Sequence, residues 1–284
     1  ATHGELSMRQ FPDGESYIRV VSEVKGMEAI VVCTLHRPDG KLLPLLYLCR
    51  VLKDLGAVSV RLVAPYLSYM RQDTVFKPGE AVTSVYFAKL LSSFTDGLIT
   101  IDPHLHRRSS LAEIYSIPST VLLAAPLVSA WIKANVKDPV LIGPDNESEQ
   151  WVSEVARDAD APFTVLDKTR LGDADVRVSV PEVDRYMDRT PVLVDDIIST
   201  ARTMIEAVGH LKRMGLKAPV CVGTHGVFAG TAYADLLAAG AAQVITCNTI
   251  PHPSNGIDIT ALITSALKPR SSVGPHRSNE PTQH

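Results

Sequence analysis

Two adjacent acids, Asp195 and Asp196, separate an apolar run from a hydroxyl-rich stretch in Pro191-Val-Leu-Val-Asp-Asp-Ile-Ile-Ser-Thr-Ala-Arg-Thr-Met204. The apolar residues read as a strand that ends at the acids, and the hydroxyl residues as a turn that opens a helix. Thr200, Thr203 and the backbone N–H groups of a helix N-terminus can hold a phosphate dianion, while carboxylates at a strand end can accept ribose hydroxyl protons or contact a metal. The layout fits a sugar phosphate. Its plainer alternative is a solvated acid pair followed by an ordinary Ser/Thr helix cap.

Other segments carry chemistry of their own. Arg71 offers a planar fork for phosphate oxygens and Gln72 can both donate and accept, so Tyr69-Met-Arg-Gln-Asp73 suits a nucleotide triphosphate as well as it suits a polar loop after a strand. Asp102-Pro-His104 follows an apolar run, and a neutral imidazole there can ligate a divalent ion or hydrogen-bond a phosphate; His106, Arg107 and Arg108 stand close by as competitors. Lys168 and Arg170 lie just after the run Thr164 to Leu166, where two cations on a mobile hairpin can close over a triphosphate and neutralise moving charge. Phe11-Pro-Asp-Gly-Glu15 reads locally as a turn leading into a strand.

The elements that must position these groups alternate along the chain. Short β-branched runs at Ala29 to Thr34, Val58 to Val63, Gly97 to Ile101, Val121 to Leu127, Val140 to Gly143, Val192 to Val194, Val220 to Gly223 and Val244 to Cys247 are separated by stretches of helical period. The helical stretches include Leu42 to Val51, Ala81 to Leu91, Ser148 to Ala156, Ala201 to Leu211 and Thr231 to Ala239. Strands alternating with helices imply parallel sheets covered on both faces, and ligands of such sheets bind beyond the carboxyl ends of the strands. The strands are too many for one modest sheet. Two α/β domains are therefore expected, residues 1–125 and 126–267, followed by a Pro/Ser/His-rich tail, 268–284, with too little apolar surface to pack.

Composition narrows the function classes. Across 284 residues, 28 Lys plus Arg against 31 Asp plus Glu leave a formal charge of −3, which argues against a nucleic-acid partner or a polybasic membrane surface. No run reaches the roughly 18 apolar residues of a membrane span. Cys33, Cys49, Cys221 and Cys247 form no C-x-x-C pair, so neither a structural zinc site nor a disulfide framework is expected. A cytoplasmic protein is the expectation.

The segment around Asp195 resembles the phosphoribosyl-pyrophosphate loop shared by type I phosphoribosyltransferases and ribose-phosphate diphosphokinases. Phe11 to Glu15, Pro65 to Asp73, Ile101 to His104, Gly143-Pro-Asp145 and Lys168-Thr-Arg170 occur in the order found in the second family, and the resemblance covers nearly the whole chain except the tail. It implies two phosphoribosyltransferase-like domains and a Mg²⁺-dependent transfer of diphosphate from ATP to ribose 5-phosphate. It further implies that Arg71, Gln72 and His104 bind ATP, and that Phe11, Asp13 and Glu15 hold the adenine of a neighbouring subunit in a homo-oligomer. By the same resemblance Asp195, Asp196, Ser199, Thr200 and Thr203 bind ribose 5-phosphate, His104 and Asp145 hold the metal, with His106 as the fallback, and Lys168 and Arg170 are catalytic.

Three departures from the family pattern stand out. Asn146-Glu147-Ser148 replaces a glycine pair after Asp145, Ser199-Thr-Ala-Arg-Thr203 lacks the third acid and both glycines of the usual ribose-phosphate loop, and ten residues precede Phe11 where the family has another strand and helix. A phosphoribosyltransferase and a non-catalytic regulatory homologue are the alternative readings.

Overall fold

The computed structural model describes residues 2–144, 148–170, 176–179 and 183–268. Asp145, the neighbouring positions 146 and 147, and all of the expected tail except Lys268 lie outside the described residues.

The chain opens with an antiparallel hairpin, β1 (Leu6–Gln10) and β2 (Ser16–Val20). Its turn closes through Phe11 N–H to Glu15 O at 2.8 Å and Gly14 N–H to Phe11 O at 2.9 Å. Gly14 takes φ 92°, which an L side chain would resist. The sequence anticipated the turn and the strand after it; the strand before it is made of residues that alternate weakly and are exposed throughout.

A four-stranded parallel sheet follows in the order β3 (Glu28–Val32), β4 (Ser59–Ala64), β5 (Gly97–Ile101) and β6 (Ser119–Leu122), with crossover helices α1 (Asp39–Asp54) and α2 (Thr83–Ser92). Leu48, Leu52, Phe87 and Leu91 of these helices pack with Leu62 and Leu98 of the sheet. The run Val121 to Leu127 does not continue as one strand. Pro126 sits in the first turn of α3 (Ala125–Asn135), where its missing N–H costs nothing, and so the strand stops at Leu122.

The larger sheet has six parallel strands. Their spatial order is β14, β13, β12, β11, β7, β8, and the members in chain order are β7 (Pro139–Gly143), β8 (Phe163–Val165), β11 (Thr190–Ile198), β12 (Val220–Gly226), β13 (Gln243–Cys247) and β14 (Asn255–Ile257). Alternation in β11 splits the core: Val192 and Val194 face α3 and α4 (Glu149–Ala159), while Leu193 faces α5 (Arg202–Arg213) and α6 (Ala232–Ala239). Helix α7 (Thr260–Leu267) ends at the last residue but one of those described, and a separate antiparallel pair, β9 (Asp167–Arg170) with β10 (Val176–Ser179), follows β8 in the chain. Two parallel sheets flanked by helices are the expected fold class. Among the described residues no helix is long and apolar enough to cross a membrane.

One boundary is corrected by the structure. β11 does not end at the acids but runs on to Ile198, because Ile197 and Ile198 pair with His225 and Gly226 of β12. A Cβ on Gly223 would fall 2.8 Å from the Ile198 side chain, so the glycine makes room for that extension.

Candidate active site

The carboxyl ends of β5 and β11 meet across the seam between the sheets. Asp102 follows β5 with φ 34°, and the chain then turns through Pro103 so that Nδ1 of His104 lies 2.9 Å from Oδ2 of Asp196. His106 comes back onto the same oxygen, with Nε2 at 3.8 Å, and its ring stacks on that of His104 at 3.7 Å between centroids and 23° between planes. Burial by itself would raise the Asp196 carboxyl, but the hydrogen bonds and charge of the two histidines outweigh it and hold the group well below the usual carboxylate range.

Asp102 behaves in the opposite way. It is buried, and desolvation pushes its carboxyl up to about 6 despite hydrogen bonds from the Ala124 N–H and the Thr224 hydroxyl; the negative Asp196 and Glu154 add to the rise. Two carboxyls in one cavity wall thus differ in proton affinity, one firmly ionised and the other titrating near neutrality.

These groups border a cavity of about 770 Å³, walled also by Arg71, Asp195, Trp151 and Glu154. A smaller recess of about 170 Å³ adjoins it at the N-terminus of α5, lined by Ser199, Thr200, Ala201, Arg202 and Thr203. Arg71, Asp195 and Ile197 line both spaces. The recess has the form of an anion cradle. Among the described residues no side-chain oxygen caps α5, and Ala201 takes a left-handed φ of 56° to turn the chain into the helix, whose N-terminal residues line the recess.

The sequence-derived candidates divide into three groups. Arg71, His104, Asp195, Asp196, Ser199, Thr200 and Thr203 come together around the two adjoining spaces. Gln72 turns elsewhere: its Oε1 accepts a hydrogen bond from the Thr83 hydroxyl at 3.1 Å, at the start of α2, and it lines neither space. Phe11, Asp13 and Glu15 sit on the exposed β1–β2 turn and also line neither; Phe11 packs edge-on to Tyr17 with the Arg9 guanidinium 4.6 Å from its ring. Lys168 and Arg170 are on β9, whose side chains lie outside the described residues, as does Asp145.

Trp151 and Glu154 are cavity residues that sequence reasoning did not single out. They occupy an amphipathic helix, and nothing in their spacing separates a cavity-facing side chain from a solvated one. Asp73 has a supporting part: its carboxylate accepts from Arg107 at 3.1 Å and its carbonyl from Arg108 at 3.2 Å, tying the Arg71 segment to the His104 loop.

Comparison with known proteins fits this arrangement. Residues 1–94 match the N-terminal domain of ribose phosphate pyrophosphokinase, and residues 110–262 match the phosphoribosyl transferase domain. The ribose-phosphate pyrophosphokinase of Methanothermobacter thermautotrophicus is 34% identical over 264 residues, covering 93% of this chain and 91% of that protein. The chain belongs to the ribose-phosphate pyrophosphokinase family. That family is one of diphosphoryl transferases. The Pyrococcus abyssi ribose-phosphate pyrophosphokinase is 32% identical over 265 residues, with 92% of this chain and 90% of that protein covered. A crystal structure of phosphoribosylpyrophosphate synthetase from Mycobacterium smegmatis superposes with a TM-score of 0.82 at 25% identity, over 93% of this chain and 89% of that one.

Proposed function

We propose that the chain transfers the β,γ-diphosphoryl group of ATP to the 1-hydroxyl of ribose 5-phosphate, forming phosphoribosyl pyrophosphate and AMP. The observation that carries this reading is the pair of adjoining spaces: an anion recess at the α5 N-terminus opening through Arg71 and Asp195 into a cavity large enough for a nucleotide polyphosphate. The 5-phosphate lies in the recess against Ser199, Thr200 and Thr203, and Asp195 and Asp196 orient the ribose hydroxyls. Arg71 and His104 hold ATP in the larger space, and Gln72, tied through its side chain to Thr83, contributes to ATP binding only if that side chain turns on nucleotide binding.

The anomeric oxygen attacks the β-phosphorus, its O–P bond forms, the bond from that phosphorus to the α,β-bridging oxygen breaks, and AMP leaves with the bridging oxygen. The hydroxyl proton goes to solvent. Positioning and charge stabilisation supply the catalysis, with Lys168 and Arg170 meeting the charge that shifts to AMP. His104 and Asp145 would hold Mg²⁺, which keeps waters and takes few protein ligands, and His104 borders the same roomy cavity as the carboxylates of Asp195 and Asp196. When bound, Mg²⁺ neutralises polyphosphate charge.

Phe11, Asp13 and Glu15 lie on a hairpin turn away from the cavity, which suits a role in a neighbouring copy's ATP site and makes the working unit a homo-oligomer. The domain division is taken as 1–125 and 126–267, and the compartment as the cytoplasm. Purified protein with ribose 5-phosphate, ATP and Mg²⁺ is expected to yield AMP and phosphoribosyl pyrophosphate in equal amounts. Absence of both from well-folded protein across a metal screen would overturn the reading.

A further inference from the structure

We propose that Phe228 is a positioning residue for ribose 5-phosphate: with its two neighbours it clamps the carbonyls of Ile198 and Ser199 and so aims two backbone N–H groups of the phosphate recess. This deepens the reading above and rests on it. β12 ends at Gly226, and the chain then crosses to the end of β11. The N–H groups of Val227 and Phe228 both donate to the Ile198 carbonyl at 3.0 Å, and that of Ala229 donates to the Ser199 carbonyl at 3.0 Å. In a trans peptide the C=O of one residue and the N–H of the next point in opposite directions, and the bonds after Ile198 and Ser199 are trans. Fixing those two carbonyls therefore turns the N–H groups of Ser199 and Thr200 away from residues 227–229. Both residues line the recess.

The clamp needs an anchor, because Phe228 takes a left-handed φ of 40° that its β-carbon resists. The ring supplies it. Phe228 is buried and its ring folds over Gly226, where a Cβ would fall 2.6 Å from Cε2 of Phe228. Two further rings flank it: His252 at 4.4 Å between centroids, and Tyr233, at the start of α6, at 5.3 Å and 72°. His252 is fixed in turn, since its Nδ1 accepts from the Ser254 N–H at 3.2 Å and its own backbone N–H donates to Oδ1 of Asn255 at 2.9 Å. Phe228 also belongs to one buried apolar cluster with Ile198, Ala201 and Met204, so the same side chain supports the residues on either side of the recess turn. Phe228 does not itself line the recess, and it acts through the clamp rather than by contact with the ligand.

The test is calorimetric binding of ribose 5-phosphate and, separately, of a non-hydrolysable ATP analogue to the full-length protein with Mg²⁺. Phe228→Leu keeps an apolar side chain but loses the flat ring, and should weaken ribose 5-phosphate about 3- to 30-fold while affinity for the ATP analogue stays within about twofold. Steady-state kinetics should show the same split, with KM for ribose 5-phosphate raised and KM for ATP unchanged. His252→Ala should act in the same direction, and His252→Phe, which keeps a ring against Phe228, should restore most of the affinity; this pair serves if Phe228→Leu does not fold. A loss shared equally by the two ligands would make Phe228 a general structural residue and overturn the proposal, as would unchanged ribose 5-phosphate affinity in Phe228→Leu and His252→Ala. Product formation by the parent alongside that unchanged affinity would overturn the clamp and leave the function. Selective weakening of ribose 5-phosphate in variants of a protein that forms no product would support the clamp and overturn the function.

Discussion

Nε2 of His225, on β12, lies 3.1 Å from the carbonyl oxygen of Ile101 at the end of β5, joining the two sheets through a single buried imidazole. A carbonyl can only accept, so Nε2 carries the proton, and Nδ1 faces the Thr249 hydroxyl at 2.9 Å. Tyr66 packs on the ring at 5.0 Å, and Thr34 donates to the Thr249 carbonyl at 2.7 Å, so the seam between the sheets is tied at several points. The arrangement that sets His104 against Asp196 depends on this seam staying closed.

Two buried groups in the seam make stability respond to pH in opposite senses. Burial lowers His225 from 6.5 to about 4, so its contribution is complete above pH 6.5 and is lost as pH falls toward 4. Burial raises Asp102 from 3.8 to about 6, so its contribution is complete below pH 3.8 and is lost as pH rises through 6. Each spans about 3 kcal/mol, and between pH 4 and 6 they nearly cancel. Relative to the parent, Asp102→Asn should gain stability as pH rises from 4 to 6, and His225→Gln should lose it. Urea denaturation at several pH values reads both slopes, and equal slopes in the two variants would refute the account.

Ala201 tests the turn into α5. Its φ of 56° is a left-handed conformation costing an L residue about 1–2 kcal/mol, yet its methyl group is buried. Ala201→Gly removes the strain but also removes a methyl worth about 0.8 kcal/mol and frees the unfolded chain, so its net effect should stay within about 0.5 kcal/mol. Ala201→Val adds a β-branch to a position that tolerates none, and should cost more than about 2 kcal/mol and weaken ribose 5-phosphate binding. Melting curves and phosphate-competition binding measure both. A Val variant as stable as the parent would show that the turn is not under this constraint.

Much of this was legible in the residues, and the rest was not for physical reasons. The parallel strands announced themselves through runs such as Val192 to Val194, whose burial on both faces needs continuous apolar residues. The extension of β11 past Asp195 was hidden because polar residues usually end a strand, and only the partner Gly223 makes the longer pairing possible. Asp195, Asp196 and Thr203 declared themselves by local spacing. Trp151 and Glu154 did not, since their place in the cavity wall comes from which helix the seam brings against the loop, while His106 stood only as the fallback to His104. Gln72 carried a motif, but its side chain is held by Thr83 on a neighbouring element.

Arg71 spans the recess and the larger cavity, so removing it should affect both substrates. A charge-assisted bond to phosphate contributes about 1.5–3 kcal/mol, and Arg71→Ala should therefore raise KM for ATP and for ribose 5-phosphate by about 10- to 100-fold each. Arg71→Lys should recover only part of this, because the ammonium keeps the charge without the planar fork. Steady-state kinetics with each substrate varied separately decides it. A change confined to one KM would remove the bridging role.

Lys168 lies on β9, just beyond the point where Leu166 N–H meets the Gly143 carbonyl at 2.9 Å and the chain leaves the edge of the larger sheet. That exit is at the carboxyl end of β7, the end at which ligands of such sheets bind. A cation delivered there to the departing phosphate acts mainly on the transition state, where charge has moved toward AMP. Lys168→Ala should then lower kcat by about 10²- to 10³-fold while changing ATP affinity much less. Single-turnover rates and equilibrium binding of a non-hydrolysable ATP analogue separate the two quantities, and equal losses in both would refute a transition-state role and make Lys168 a binding residue.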